Sequence, residues 1–274
     1  MGLFGKLFEK KECAICGGEI GLLGNRKLED GNMCKACAAK LSPWFDERRH
    51  STVAQIEEQL EYRESNKENV AAFRTTLSLG ETAKVLVDED AGRFMVTSAR
   101  NYSEANPDGL ELSDITGCTY DIDEGIDEVT RFDENNEAVS YDPPRFTHSY
   151  NFYVTVYVNN PYFDDMRLKV NSRTVEVEER RGPAVSANPG SINLVIGSLS
   201  GAETFNPEAS VEYCTYRDLC ERIVATLLEN RQSAREEIAA AAAPKAAVAC
   251  PYCGATTTPT TTNCCEFCGG ALGD

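Results

Sequence analysis

The sequence predicts an α+β fold: a mainly antiparallel, pleckstrin-homology-like barrel with a C-terminal helix, flanked by two small four-cysteine zinc modules. Three observations carry this. Eight of the 12 cysteines form four Cys-x-x-Cys pairs, two near each end of the 274-residue chain. Between them runs a succession of short apolar stretches with period-two alternation, the mark of half-buried strands. An amphipathic stretch follows whose apolar residues recur at helical spacing.

Composition bounds the class. The chain carries 27 basic and 44 acidic residues, a formal charge of −17, and is 42% hydrophobic. That suffices for a real core and argues against wholesale disorder. No window approaches a membrane-spanning length of apolar residues. Residues 1–12 read as a short amphipathic helix, with Leu3, Phe4, Leu7 and Phe8 on one face and Lys6, Lys10 and Lys11 on another. The stretch is too short for a secretory signal and its lysines lie on the wrong side. It suits docking on the next module or lying in a membrane interface. Lys6 stands where N-myristoylation prefers serine or threonine.

Residues 13–50 hold Cys13, Cys16, Cys34 and Cys37, with 17 residues between the pairs. Two sulfurs three positions apart on a tight turn point to one spot, and a second pair completes a tetrahedron of thiolates that Zn²⁺ accepts at about 2.3 Å. A knuckle over Cys13 to Gly18, a hairpin from Ile20 to Met33 turning at Glu29-Asp30-Gly31-Asn32, and a short helix over Cys34 to Leu41 stand in treble-clef order. At the other end, residues 250–274 hold Cys250, Cys253, Cys265 and Cys268, with 11 residues between pairs and no following helix, a zinc ribbon. Cys264 could replace Cys265; Cys265 has the two-residue spacing to Cys268. A disulfide framework belongs to secreted chains, and a redox pair would need no second pair facing it. Iron also suits a four-thiolate site. Both sets leave no open coordination position, so two structural Zn²⁺ ions are expected to supply folding energy and not Lewis-acid catalysis. Cys118, Cys214 and Cys220 lie in apolar surroundings and read as inert core thiols.

The elements between follow in order. Residues 51–74 read as a helix with an apolar stripe of Val53, Ile56, Leu60, Val70 and Phe73, interrupted by Arg63, Asn66 and Lys67, and with a capping box from Thr52 and Gln55. Residues 75–232 read as the β domain. Its strands are Ala83 to Val87 and Phe94 to Ser98 around the turn Asp88 to Gly92, then Ile115 to Ile122, Ala138 to Tyr141 after a long acidic loop, Tyr150 to Val158, Met166 to Val170 and Thr174 to Val177. The strand from Tyr150 is the clearest, because Tyr150, Phe152, Val154, Val156 and Val158 alternate with more polar neighbours. Residues 183–207, rich in Gly, Pro, Ser and Asn, form a loop insertion with one short strand, Ile192 to Ile196. A helix capped by Thr215 closes the domain on Leu219, Ile223, Val224, Leu227 and Leu228. Residues 233–249 are its alanine-rich extension and a linker of small residues.

The segment from Cys13-Ala-Ile-Cys16-Gly-Gly-Glu-Ile-Gly-Leu-Leu-Gly-Asn-Arg-Lys-Leu through Cys34-Lys-Ala-Cys37 to Leu41-Ser-Pro-Trp44-Phe45, with Cys250-Pro-Tyr-Cys-Gly-Ala-Thr near the end, resembles a family of bacterial proteins of unknown function. These join a treble-clef zinc module to a pleckstrin-homology-like region, sometimes with such a ribbon at the end. The resemblance covers most of the chain. It implies zinc at the four-cysteine sites and an intracellular bacterial setting, and no activity.

Catalytic motifs are missing. There is no phosphate loop or dinucleotide fingerprint, and Gly197-Ser-Leu-Ser-Gly201 has Leu199 where a nucleophile elbow needs serine. The only histidines, His50 and His148, read as surface or packed residues. Between Glu81 and Asp142 there are 17 acids and 4 bases. Asp121, Asp123, Glu124, Asp127 and Glu128 fail the EF-hand spacing, because Gly125 arrives one position early, so a solvated acidic loop is the expectation.

The expected function is that of a non-catalytic, cytoplasmic, multidomain zinc-binding protein that engages a protein partner. The alternative is a peripheral adaptor at the inner membrane surface, using the N-terminal amphipathic helix and the pleckstrin-homology-like domain. Nucleic-acid binding is disfavoured, since phosphate contacts need clustered Lys and Arg, and only the first fifty residues are slightly basic, with 9 bases and 7 acids.

Overall fold

The computed structural model describes residues 11–179, 205–243, 247–259 and 262–272. They form two compact units, divided between Arg231 and Gln232. The expected helix over residues 1–12 lies outside the described residues as far as position 10, and Lys11–Glu12 form a strand instead.

In the first unit, β1 (Lys11–Glu12) pairs with β2 (Glu19–Ile20), and β3 (Arg26–Lys27) pairs with β4 (Asn32–Met33) across the Glu29 to Gly31 turn. A short helix α1 (Lys35–Ala38) and a 3-10 turn (Glu47–His50) lead into α2 (Val53–Ala72). The Thr52–Gln55 capping box is present: the Thr52 hydroxyl accepts the Gln55 amide while the Gln55 side chain accepts the Thr52 amide. Asp30 Oδ1 accepts the Val53 amide at 2.8 Å, tying the hairpin turn to the helix start. Ile56 is fully buried against Cys13, Ile20, Leu28, Met33, Cys37 and Leu41, so the first half of α2 completes the core of the cysteine module. A Thr52→Ala chain should lose about 1 kcal/mol of stability, a typical cap contribution; urea unfolding followed by α2 helicity checks this.

The second half of α2 serves a different core. Val70 and Phe73 pack with Leu86, Met95 and Tyr102, on one face of an antiparallel meander of β5 (Leu77–Leu79), β6 (Lys84–Asp88), β7 (Arg93–Thr97) and β8 (Gly109–Glu111). Both faces of β6 and β7 are buried, through Val85, Val87, Phe94 and Val96 on alternate positions. Between β7 and β8 lies the short helix α3 (Tyr102–Ala105). The Asp88 to Gly92 turn forms as expected: Asp88 Oδ1 accepts the Ala91 amide, and Gly92 takes a positive φ of 64°.

The second sheet is built on β10 (Ala138–Val158). It pairs with β9 (Ile115–Phe132) on one edge, interrupted between Ser140 and Arg145, and successively with β12 (Val175–Glu178) and β11 (Asp165–Lys169) on the other. Where that edge passes from β11 to β12, the buried Asn171 side chain accepts the Phe152 amide and donates to the Tyr150 carbonyl, standing in for a strand. Tyr150, Phe152, Val154, Val156 and Val158 are all buried, as their alternation predicts.

Helix α4 (Val211–Ala242) starts earlier than expected, at Val211; the Thr215 hydroxyl donates to the Val211 carbonyl inside the helix and is no cap. Its buried positions are Tyr216, Cys220, Ile223 and Leu227, so the stripe begins one turn before Leu219. The rings of Tyr213 and Tyr216 lie 5.3 Å and 5.8 Å from that of Phe152, seating the helix on β10.

Two expectations are corrected. Among the described residues no sheet closes into a barrel. β8 leaves through a 3-10 turn (Leu112–Asp114), and β9 pairs with β10 throughout, so β9 never joins β8 and two separate sheets result. The antiparallel α+β character stands. The acidic stretch is also no loop: it is strand through Phe132, and Ala138 to Val158 is one strand with a bulge between Ser140 and Arg145. Its acids stay exposed on the strand, where Arg167 Nη2 lies 2.5 Å from Asp121 Oδ2 and His148 faces Glu124. Most of the 183–207 insertion, with its Ile192 to Ile196 strand and the Gly197 to Gly201 motif, lies outside the described residues.

Candidate metal centres

Each predicted quartet comes together. The four Sγ atoms of Cys13, Cys16, Cys34 and Cys37 lie within 4.8 Å of one another, as do those of Cys250, Cys253, Cys265 and Cys268. A tetrahedron with metal–sulfur bonds of about 2.3 Å has sulfur–sulfur edges of about 3.8 Å. The separations are 3.9 Å for Cys16 to Cys34, 3.6 Å for Cys250 to Cys268 and 3.7 Å for Cys253 to Cys265. These edges fit a central ion and are far longer than the roughly 2 Å of a disulfide; all the cysteines are free thiols.

Local sequence explains how three of the four pairs are held. At Cys13, Cys250 and Cys265 the backbone amide donates five residues ahead, to the carbonyls of Gly18, Ala255 and Gly270, and the carbonyl accepts from the fourth residue on, Gly17, Gly254 or Gly269. Those three glycines have φ of 68°, 72° and 70°, the left-handed region that a side chain disfavours. The turn brings both sulfurs to one side. The fourth pair is helical: Cys34 caps α1 and its sulfur accepts the Cys37 amide at 3.3 Å, while the Cys34 amide donates to Cys13 Sγ at 3.2 Å.

Electrostatics within each quartet is uneven. Burial raises the Cys13 thiol, but the amides of Cys34, Cys16 and Ile15 outweigh it and bring its pKa down to about 6. Cys37 is pushed up to about 12 by burial and by its sulfur neighbours. In the C-terminal module the Cys268 amide leads in lowering Cys265 to about 6. Cys268 is itself lowered by the Gly270 amide, but the sulfurs of Cys250 and Cys253 win and carry it to about 12. A set that readily yields one thiolate and resists the last deprotonation is one in which a divalent cation would relieve thiolate repulsion.

The cluster takes in Cys265 and not Cys264. Cys265 is buried in the quartet, while Cys264 Sγ donates to the Thr262 carbonyl at 3.4 Å and its backbone bridges to Ala271. Strands β13 (Val248–Ala249) and β14 (Thr256–Thr257) pair beneath the first knuckle of this module, and Leu272 closes its small core. Of the other cysteines, Cys118 and Cys220 are buried and burial pushes both thiols up to about 12. Cys214 departs from the expected core role: it is half-buried, and its thiol donates to the Glu208 carbonyl.

The histidines lie apart from the quartets. His50 is exposed on the 3-10 turn. His148 is buried, stacks on Phe205 at 3.7 Å, and places Nδ1 2.9 Å from Glu124 Oε1, the same oxygen that accepts the Tyr150 hydroxyl at 2.8 Å. The His148 and Tyr150 bonds hold the Glu124 carboxyl below its ordinary 4.5. A depressed carboxylate stabilises the fold above its unfolded pKa and loses that effect as pH falls through the folded value. The thermal midpoints of the wild type and Glu124→Gln should therefore differ slightly at neutral pH and converge in acid, which a melting series across pH checks; the side chain is half exposed, so the effect is small.

Sequence reasoning missed the tie between the N-terminal module and the first sheet. Arg63, counted as an interruption of the α2 stripe, is buried and sets Nη1 2.8 Å from Asp108 Oδ1; its Nη2 donates to the Asn106 carbonyl and its Nε to the Lys40 carbonyl. Ser42 donates to Asp108 Oδ2 at 2.8 Å. Asn66 donates to the Pro107 carbonyl and accepts the Gly109 amide. The available signal was two polar residues three apart on an otherwise apolar face, matched by Asn106-Pro107-Asp108-Gly109 downstream.

Residues 11–59 match a family described as a domain of unknown function (DUF4428). The match spans the first quartet and the part of α2 that covers it. No curated protein and no solved structure matches the chain. Among the described residues no helix is long and apolar enough to cross a membrane.

Proposed function

We propose that this is a non-catalytic protein whose two quartets hold structural Zn²⁺, in a treble clef and a zinc ribbon, and whose exposed module surfaces engage a protein partner. The observation that carries it is the pair of aromatic rings on the C-terminal module. Tyr252 and Phe267, each set between the two cysteines of a knuckle, are 71% and 69% exposed. Large aromatic side chains held rigid at a surface are the residues that most often anchor protein interfaces. Residues 245–274 carry one base and two acids, which suits a protein partner better than phosphate. With four sulfurs closing each site, zinc would contribute folding energy. The strands followed by α4 support a pleckstrin-homology-like element order without a closed barrel.

Metal analysis of the purified chain is expected to give close to two zinc ions per chain, one for each quartet; iron or no metal overturns that half. With metal content unchanged, a Tyr252→Ser/Phe267→Ser chain should lose the protein captured by in-cell crosslinking of the wild type by about tenfold or more. Equal capture would remove the interface from the ribbon. A second reading, a peripheral adaptor on a membrane surface, is favoured by the exposed turn of the N-terminal module.

A further inference from the structure

The turn Gly21 to Gly24 leaves two large apolar side chains in water, Leu22 at 80% and Leu23 at 93% exposure. It is held in shape: Gly24 donates to the Gly21 carbonyl, and Ile20 beneath it is buried in the core. Two such leucines at the apex of an ordered turn contribute nothing to this module's own core.

Cations surround the base of the turn. Arg26 lays Nη1 on the Leu23 and Asn25 carbonyls, at 3.4 Å and 3.2 Å. Arg48 Nη1 donates to the Lys27 carbonyl at 2.6 Å, which brings the 3-10 turn beside β3. Burial lowers the Arg48 pKa, and the nearby charges of Arg26 and Arg49 lower it further. No acid occurs from Ile20 to Leu28. Asp30 is turned to the Val53 amide. The turn itself thus carries Arg26 and Lys27 without an acid, while Glu19, Glu29, Asp30, Asp46 and Glu47 flank the four cations in sequence.

The path of the chain adds an independent observation. Lys11 is the register partner of Ile20, so the segment that precedes it, with Leu3, Phe4, Leu7 and Phe8 among lysines, joins the module at the end of β2 that carries the tip.

We propose that the Gly21 to Gly24 turn is a membrane-insertion tip, in which Leu22 and Leu23 enter the interface of a bilayer and Arg26, Lys27, Arg48 and Arg49 lie against anionic headgroups. Apolar insertion and attraction to anionic lipid reinforce each other in this way at membrane surfaces. A nucleic acid would use the cations but would leave both leucines in water. The proposal deepens the membrane-surface reading and rests on it.

The test is flotation of the full-length, metal-loaded chain with vesicles of pure phosphatidylcholine and of equimolar phosphatidylcholine and phosphatidylglycerol. The wild type should bind the anionic vesicles preferentially. Leu22→Ser/Leu23→Ser should weaken that binding about tenfold or more, and each of Lys27→Gln and Arg49→Gln, both exposed, by about fivefold. Metal content and circular dichroism of every variant establish that the fold is intact, since all four side chains can be exchanged without opening the core. If the leucine variant floats like the wild type while deletion of residues 1–10 abolishes binding, the tip is overturned and the membrane reading survives. If the wild type does not float, or binds a DNA duplex instead, both fall.

Discussion

With zinc in each quartet as proposed, Cys37→Ser is expected to release one of the two ions and unfold the N-terminal module. Cys37 is buried among Ile20, Leu28, Met33, Leu41 and Ile56, a cluster that includes two of the four cysteines themselves, Cys13 and Cys37. So few apolar side chains do not order a segment of this size unaided. Structural zinc supplies about 10–16 kcal/mol of apparent binding energy in comparable small modules, and that energy is folding energy because the site does not exist in the unfolded chain. Serine offers no thiolate, so most of the term is forfeited. Metal analysis should fall by one ion per chain, and amide exchange should lose protection over residues 11–41 and the first turns of α2. Chelation of the wild type should give the same pattern. Retention of both metals and of that protection would show that the module stands on its packing alone.

Arg63→Ala is expected to destabilise the first unit by about 3–5 kcal/mol, the usual cost of leaving one half of a buried ion pair uncompensated. Burial raises the Asp108 pKa, and the Arg63 guanidinium and Ser42 hydroxyl oppose that shift. Without Arg63 the carboxylate remains in a dry site with Ser42 and its own backbone amide and no counter-charge, and the Lys40 and Asn106 carbonyls lose the Arg63 donor. Urea unfolding measures the loss. The double variant Arg63→Met/Asp108→Leu should recover much of it, because an apolar pair of similar volume removes the stranded charge. A single-variant loss below about 1 kcal/mol, the level of a surface ion pair, would mean that water reaches the pair.

The quartets were legible because clustering four sulfurs from two tight turns requires a Cys-x-x-Cys spacing that sequence records directly. The Cys13 and Cys250 knuckles even announce their turns through Gly17 and Gly254. Strand β10 was legible in its second half for a similar reason, since one face from Tyr150 to Val158 is buried throughout. The acidic half of the sheet was not. Beyond Ile122, Asp123 to Glu128 offers only Ile126 as an apolar residue to betray a strand; it is held by ladder bonds and by Arg167 and His148, residues that come later in the chain. Arg63 failed as a signal likewise: its partner lies 45 residues away and becomes visible only once α2 meets the loop before β8. The closed barrel was an inference from element order, which does not say which strands share an edge.

Strand β9 has one more consequence. From residue 117 to 132 it has a strand partner on one side only among the described residues. A long open edge of unsatisfied backbone groups is a template on which a second chain can add, the common first step of aggregation. Asp121, Asp123, Glu124, Asp127 and Glu128 stud this one, and an incoming strand would have to bring its own backbone against that row of charge. The acids that resemble a solvated loop in sequence act as a guard on the sheet's boundary. Without that row of charge, self-association through β9 becomes the chain's most accessible error.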